Sequence, residues 1–159
     1  MIVLQIVLYC LLFTVIVKLA VIGGAVNGLF FYPKPVQERA VELGLSDRGT
    51  IARRFKIFMA MFYIVMAAAL VLIIGLWNGV SGFWAAYLQA LLFLEVMNWY
   101  DGLVIDKLWV GHSWFWKIPE LTDMPYVKTW PQMLKKRLFL SLIWCVGAAL
   151  IAAAVVLIF

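Results

Sequence analysis

The chain has 159 residues, of which 67% are hydrophobic and 13% are charged, and its mean hydropathy is +1.04. A soluble domain is about 45–50% apolar and about 25% charged, so this composition argues against an ordinary soluble domain and indicates a membrane protein. The charged residues are clustered, and in a membrane protein a net charge of +5 reports the topology. We therefore expect no nucleic-acid partner.

The cysteines and the first apolar segment narrow the class further. Cys10 and Cys145 both lie within apolar segments and form no CxxC motif, which argues against a disulfide framework and against a thiol-redox enzyme. The first apolar segment is too long and too continuous for a removable signal peptide, and no basic region precedes it. We therefore expect it to be a membrane span.

Four apolar stretches are long enough to cross a membrane as helices. They cover about residues 2–29, 55–77, 83–108 and 138–159. Roughly 20 helical residues cross about 30 Å of hydrocarbon. Helices are expected because they pair their own backbone hydrogen-bonding groups in lipid. The sequence therefore predicts an all-α fold, an integral membrane four-helix transmembrane bundle that forms a single domain over residues 1–159.

The connections between these spans predict the orientation. Basic residues concentrate in the loops 30–54 and 109–137, whereas the turn "NGVSG" is uncharged and neither terminus carries a charged side chain. Basic loops stay on the cytoplasmic side of a membrane. We therefore predict an N-out/C-out protein with both termini extracytoplasmic and two cytoplasmic loops.

Both loops carry signals of ordered structure. In the first, Pro35 suits the start of a short helix and Gly44 its end, and a second helix is expected to begin at Ser46 or Asp47 and to run into the second span. The second loop combines a high density of aromatic rings with three prolines, which is typical of an aromatic belt with an ordered cover at the membrane surface.

Polar residues share one side of the third span. At about 100° per residue, Glu95, Asn98, Asp101 and Asp106 fall within an arc of roughly 140°, together with Gly102. The helical rise places Glu95 near mid-membrane, Asp101 in the inner third and Asp106 at the cytoplasmic edge. We therefore expect this side of the helix to face into the bundle.

Lys18 in the first span lies at nearly the same depth as Asp101. An ion pair with Asp101 or Glu95 would offset part of the desolvation of each group. Alternatively, the lysine is close enough to the cytoplasmic surface to extend its amine to the headgroups. The sequence leaves both possibilities open.

Two interpretations of the acidic face compete. In the functional one, a polar cavity open to the cytoplasm is lined by the acids and covered by the Trp-rich loop, with Glu95, Asp101 and Asp106 as candidate catalytic residues. In the structural one, Asp106 pairs with Lys107 or loop arginines, while Lys18 and Asn98 hold the other acids. Glu95 is the strongest functional candidate, because its burial has no other evident explanation.

Few other residues suggest a ligand. His112 is the single histidine, which excludes a multi-histidine metal or haem site within one chain, and we expect no metal and no cofactor. Trp114 and Trp116 are more typical of an aromatic belt than of a ligand cage. These three residues, with Lys18 and Asn98, remain candidate binding residues.

Small residues recur on the fourth span at Ser141, Cys145, Ala149 and Ala153. This spacing lets another helix approach closely, so we expect a packing face there. It is also compatible with a homo-oligomer or with a partner membrane protein.

Three segments, "YPKPVQERAVELGL", "NWYDGLVID" and "WKIPELTDMPYVK", resemble a group of small bacterial four-pass inner-membrane proteins of uncharacterised function. The resemblance covers the loop after the first span, the third span and the loop that follows it, about half of the chain. It implies a location in the bacterial plasma membrane and carries no activity.

The sequence thus favours a non-catalytic membrane protein that binds a lipid or a partner, or serves as an accessory subunit. The first alternative is a small membrane enzyme that acts on a lipidic substrate at the cytoplasmic interface. The second is proton- or cation-coupled transport by an oligomer, because one four-helix bundle encloses little space.

Overall fold

The computed structural model describes residues 1–159 and contains helices without any strand. Four helices are long and apolar enough to cross a membrane, which confirms the predicted all-α bundle of four membrane-spanning helices. We number the helices α1 (Ile2–Ala20), α2 (Lys34–Glu42), α3 (Arg48–Trp77), α4 (Phe83–His112) and α5 (Trp130–Ile158). Three short 3₁₀ turns lie in the connections, at Ala25–Phe31, Trp114–Trp116 and Pro119–Leu121.

The two long connections, residues 21–47 and 113–129, meet at one end of the bundle, here called the basic end. They are joined there by a hydrogen bond of 2.5 Å from the Tyr32 hydroxyl to the Trp116 carbonyl. The turn between α3 and α4 lies at the opposite end, with both termini. Helices α4 and α5 pack against each other most extensively.

Helix α1 is shorter than the predicted span 2–29. It ends at Ala20, and the chain then turns through Gly23 and Gly24, whose φ angles are +87° and +123°. Side chains other than glycine rarely adopt such angles, so these two residues allow the chain to leave the helix. The prediction that the span continues to Leu29 was wrong.

Helix α5 begins earlier than the predicted residue 138. Thr129 and Gln132 form a capping box at its start, and Pro131 lies in its first turn. Lys135, Lys136 and Arg137, which the sequence placed in a loop, are therefore helical. Helix α3 begins at Arg48 with Asp47 as its N-cap, as the sequence predicted.

The packing face of α5 differs by one position from the predicted one. Ala148, Ala152 and Val155 are fully buried, whereas Cys145 is exposed. Ala148 and Ala152 precede the predicted Ala149 and Ala153 by one residue each and have the same four-residue spacing, so the sequence does not show which pair faces inward. The two buried alanines let α5 approach its neighbours closely.

Candidate functional site

Two acids of α4 are aligned by a change in helix type. From Asp101 to Trp109 the helix is a π-helix, in which hydrogen bonds join residues five apart. Asp101 and Asp106, five residues apart, would lie about 140° apart in an α-helix at 100° per residue. A π-helix has more residues per turn, so the two residues lie closer to one side of the helix and both carboxylates reach the same neighbour.

That neighbour is Arg137 of α5, whose side chain is 1% exposed. Its Nη1 lies 2.5 Å from Asp101 Oδ2, and its Nη2 lies 2.9 Å from Asp106 Oδ2. Nη1 also donates to the backbone carbonyl of Asn98 at 3.2 Å. A guanidinium can hold two carboxylates at once because its donors are fixed in a planar fork, and here it joins α4 to α5.

Asn98 and Glu95 extend this polar cluster along α4, away from the basic end. Asn98 is 1% exposed, and its Nδ2 donates to the Arg137 carbonyl at 3.0 Å and to Ser141 Oγ at 3.3 Å. The Ser141 hydroxyl in turn donates to Glu95 Oε2 at 2.7 Å. Glu95 is therefore half-buried and hydrogen-bonded, so its position has a structural explanation.

Lysines from the second connection complete the cluster at the basic end. Lys128 Nζ lies 2.9 Å from Asp106 Oδ2. Lys107 donates to the backbone carbonyl of Lys128 and lies over the Trp130 ring, 4.9 Å from its centroid. Asp106 thus pairs with Lys128 and Arg137. Of the partners that the structural interpretation offered, Lys107 is not one, whereas Arg137 is an arginine of the predicted loop.

Gly102 permits the close contact between α4 and α5. A Cβ atom at this buried position would lie 2.9 Å from Met133 Sδ and 3.1 Å from the Cγ and Cδ atoms of Arg137. Real Cβ contacts are rarely so short. The aliphatic part of Arg137 therefore packs directly on the backbone between the two aspartates.

A cavity of about 410 Å³ adjoins this cluster, lined by 24 residues of which 18 are hydrophobic. Its apolar walls include Phe13, Val17, Phe58 and Phe62. Its six polar lining residues are Asn98, Asp101, Asp106, Lys128, Lys136 and Arg137. The cavity is thus apolar over most of its surface and charged toward the basic end.

The cavity opens sideways between α3 and α5. The exposed members of its apolar lining are Phe55 (46% exposed) and Tyr63 (51%) on α3 and Ile143 (41%) on α5. Lys136, also exposed, lies on the same helix as Ile143. Both helices are long and apolar enough to cross a membrane, so in a membrane we expect this opening to face the surrounding lipid near the basic end.

The two connections cover the cavity at the basic end. Trp116 is 1% exposed and packs edge-on against Phe31 at 5.9 Å between ring centroids. The Tyr32 ring is tilted by 44° against the Tyr126 ring, with 5.7 Å between their centroids, and its hydroxyl donates to the Trp116 carbonyl. Burial raises the pKa of the Tyr32 phenol, so the neutral form that donates this hydrogen bond is favoured.

The structure brings four of the sequence candidates to the cavity: Asn98, Asp101, Asp106 and Trp116. Glu95 belongs to the polar cluster through Ser141 but does not line the cavity. His112 is exposed, with Nδ1 3.1 Å from the Leu108 carbonyl, and Trp114 is 81% exposed, so both lie outside it. The covering Trp-rich loop was predicted, although the cavity is more apolar than expected.

Lys18 does not pair with the acids. It is exposed and forms no ion pair with Asp101 or Glu95, whose partners are Arg137 and Ser141. The pairing considered in the sequence analysis was therefore wrong. The pairing failed because α5 begins early enough to present Arg137, a cation with a planar fork of donors, at the depth of Asp101.

Sequence reasoning missed Arg137, Lys128, Lys136 and Ser141 as site residues. All three cations were interpreted as topogenic charges of a loop. Pro131 and the Thr129–Gln132 capping pair are sequence signals that would have placed the helix start at residue 130, with Lys136 and Arg137 on its first turns and Lys128 just before it. Ser141 follows Arg137 by four residues, one helical turn.

Comparison of the chain with known protein families, with curated proteins and with solved structures gave no match. No group of three His, Cys, Asp or Glu side chains is placed to hold a metal ion. The function is therefore inferred from the geometry of the cavity and its polar cluster.

Proposed function

We propose that this membrane protein binds a lipid in the cavity between α3, α4 and α5 without transforming it. The observation that carries the proposal is the cavity itself, with 18 hydrophobic residues among 24, a charged end and a lateral opening between two membrane-spanning helices. Ligand sites are commonly apolar clefts with a few placed polar groups. An amphiphile could enter from the bilayer with its chain against the apolar wall.

The state of the acids supports binding over acid–base catalysis. Asp101 and Asp106 are both ion-paired with one buried guanidinium, and Glu95 accepts a hydrogen bond from Ser141. A general acid or base needs access to the reacting group. These carboxylates instead fasten α4 to α5 at the cavity wall.

The proposal includes a bacterial plasma membrane with the basic end toward the cytoplasm. The resemblance of three segments to small bacterial inner-membrane proteins supports the first part, and the basic residues of both long connections support the second. Alkaline phosphatase fused after Phe159 is expected to be active and a fluorescent protein fused there to be dark. The reverse pattern would contradict this orientation.

Variants in which a larger side chain fills the cavity test lipid binding. Leu140 lines the cavity, whereas Leu142 on the same helix is 70% exposed and does not line it. We expect Leu140→Trp to reduce bound lipid at least fivefold and Leu142→Trp to leave it unchanged. The measurement is non-denaturing mass spectrometry of protein reconstituted with phospholipid and released in mild detergent.

Met59→Trp fills the cavity from the α3 wall and provides a second variant if Leu140→Trp alters folding. Thermal unfolding of each variant shows whether its fold is intact. Equal lipid retention by folded cavity-filling variants and by Leu142→Trp would contradict the proposal. So would a wild-type protein that retains no lipid.

A further inference from the structure

The charges around the cavity do not cancel. Three cations line it, Lys128, Lys136 and Arg137, against two carboxylates, Asp101 and Asp106. Arg137 and Lys128 take part in all the ion pairs of these acids, whereas Lys136 forms none. The polar end of the cavity therefore carries one excess positive charge, on a side chain that is exposed beside it.

The buried polar atoms without a hydrogen-bond partner point to the same chemistry. They are Nε1 of Trp116, Nε1 of Trp144 and Nε of Arg137. All three belong to residues that line the cavity, and all three are N–H donors. Buried donors are nearly always paired in folded proteins, so acceptors on a molecule in this cavity would stabilise its wall once small side-chain movements expose these donors.

These donors lie at different depths. Trp144 follows Arg137 by seven residues on α5, which is about 10 Å farther from the basic end at 1.5 Å per residue. A ligand that satisfies both therefore has acceptors at two levels along its length. A glycerophospholipid has this form, with phosphate oxygens at one level and ester carbonyls deeper.

We infer that the cavity selects a lipid with an anionic headgroup, whose phosphate or carboxylate oxygens lie beside Lys136 and Arg137. This selectivity rests on the lipid-binding function proposed above. An anion neutralises the excess positive charge, and its oxygens and the deeper ester carbonyls of the same lipid supply acceptors beside the unpartnered donors of the cavity wall. A zwitterionic headgroup places its own cation in the same basic cluster and binds less tightly.

Lys136 and its neighbour Lys135 allow a matched test. Both are exposed lysines on the first turns of α5, but only Lys136 lines the cavity. The probes are dioleoylphosphatidylglycerol, dioleoylphosphatidylcholine and oleate, each titrated separately and measured by non-denaturing mass spectrometry. We expect wild-type protein to bind the anionic phospholipid about tenfold more tightly than the zwitterionic one, a difference of about 1.4 kcal/mol.

Lys136→Gln is expected to reduce this preference to threefold or less, and Lys135→Gln to preserve it. Trp144→Phe keeps an aromatic ring but removes the indole donor, so it should weaken both phospholipids equally and leave their ratio unchanged. Oleate bound as tightly as the anionic phospholipid would identify a carboxylate as sufficient, and weaker binding would identify the phosphate ester.

Equal binding of the two phospholipids, with Leu140→Trp still reducing both, would overturn the headgroup selectivity while lipid binding stands. Equal loss of preference in Lys135→Gln and Lys136→Gln would also overturn it, because general surface attraction would then explain the effect. No binding of any probe would refute the proposed function itself.

Discussion

Arg137 and Asp101 form an ion pair between α5 and α4, and the same guanidinium reaches Asp106 one π-turn farther along. The arginine is 1% exposed, while the two acids are 22% and 15% exposed. Taking such charges out of water costs free energy, so we expect the cluster to add little net stability to the fold. It fixes the relative position of the two helices that form the charged end of the cavity.

Arg137→Met should strongly destabilise the protein. It removes the cation, leaves Asp101 without an ionic partner and leaves Asp106 with Lys128 alone. Breaking a buried pair in this way typically costs about 3–5 kcal/mol. The measurement is thermal or denaturant unfolding in detergent. Arg137→Lys should recover only part of this loss, because an ammonium lacks the planar fork that holds both acids.

The triple variant Arg137→Met, Asp101→Asn, Asp106→Asn separates charge from packing. Since it removes the uncompensated charges, it should unfold at a higher temperature than Arg137→Met alone. If the triple variant is no more stable than the single one, the ion pairs are not the reason for the loss.

Gly102→Ala should separate α4 from α5. The added Cβ would lie within 2.9 Å of Met133 Sδ and 3.1 Å of Arg137, and overpacking of this kind typically costs about 1–3 kcal/mol. Gly111→Ala is the matched control on the same helix, since the nearest atom to its Cβ would be Val127 Cγ1 at 3.7 Å. Unfolding temperatures compare the two. Equal stability would show that the contact relaxes easily.

Hydrophobicity and charge were sufficient to predict the number of membrane-spanning helices. Span length and apolar composition leave few alternatives in lipid, where backbone hydrogen-bonding groups must be paired within the protein. The end of α1 was less predictable, because Ile22, Ala25 and Val26 continue the apolar pattern past the helix end. The two adjacent glycines, Gly23 and Gly24, end the helix, although glycine is also common within membrane helices.

The site was predicted in part because the acidic residues stand out in an apolar segment, whereas their partner does not. Arg137 follows two lysines, and basic residues near a span are usually topogenic. The π-helix was also hidden, because a fixed 100° per residue places Asp101 and Asp106 about 140° apart. Their shared partner depends on a local backbone geometry that the residue pattern does not encode plainly.

A separate amide network at the opposite end of the bundle should show coupling between α1 and the turn that follows α3. Gln5 is 1% exposed, and its Nε2 donates to Asn78 Oδ1 at 2.6 Å, while Asn78 Nδ2 donates to Gln89 Oε1 at 2.9 Å. Asn78→Ala leaves the buried Gln5 amide without this partner. Hydrogen bonds between membrane helices couple by about 0.6 kcal/mol on average and up to about 1.7.

A double-mutant cycle with Gln5→Leu and Asn78→Ala measures this coupling by unfolding in detergent. We expect the double variant to be less destabilised than the sum of the single ones. Strictly additive losses would mean that the two side chains do not depend on each other.

Tyr32 should make stability fall at high pH. Burial raises its pKa in the folded state above the ordinary value of 10.0. The unfolded chain therefore releases this proton first, and the contribution is fully present below pH 10 and is lost as the pH rises above it. The folded cover of the cavity holds the neutral phenol, which donates to the Trp116 carbonyl.

Tyr32→Phe removes both the hydrogen bond and the titrating group. It should lower stability by about 1 kcal/mol at neutral pH, and its stability should fall less steeply than that of wild-type protein above pH 10. The two pH profiles, measured by unfolding in detergent, should therefore converge as the pH rises. Parallel profiles across this range would show that Tyr32 is not the group whose ionisation weakens the cover of the cavity.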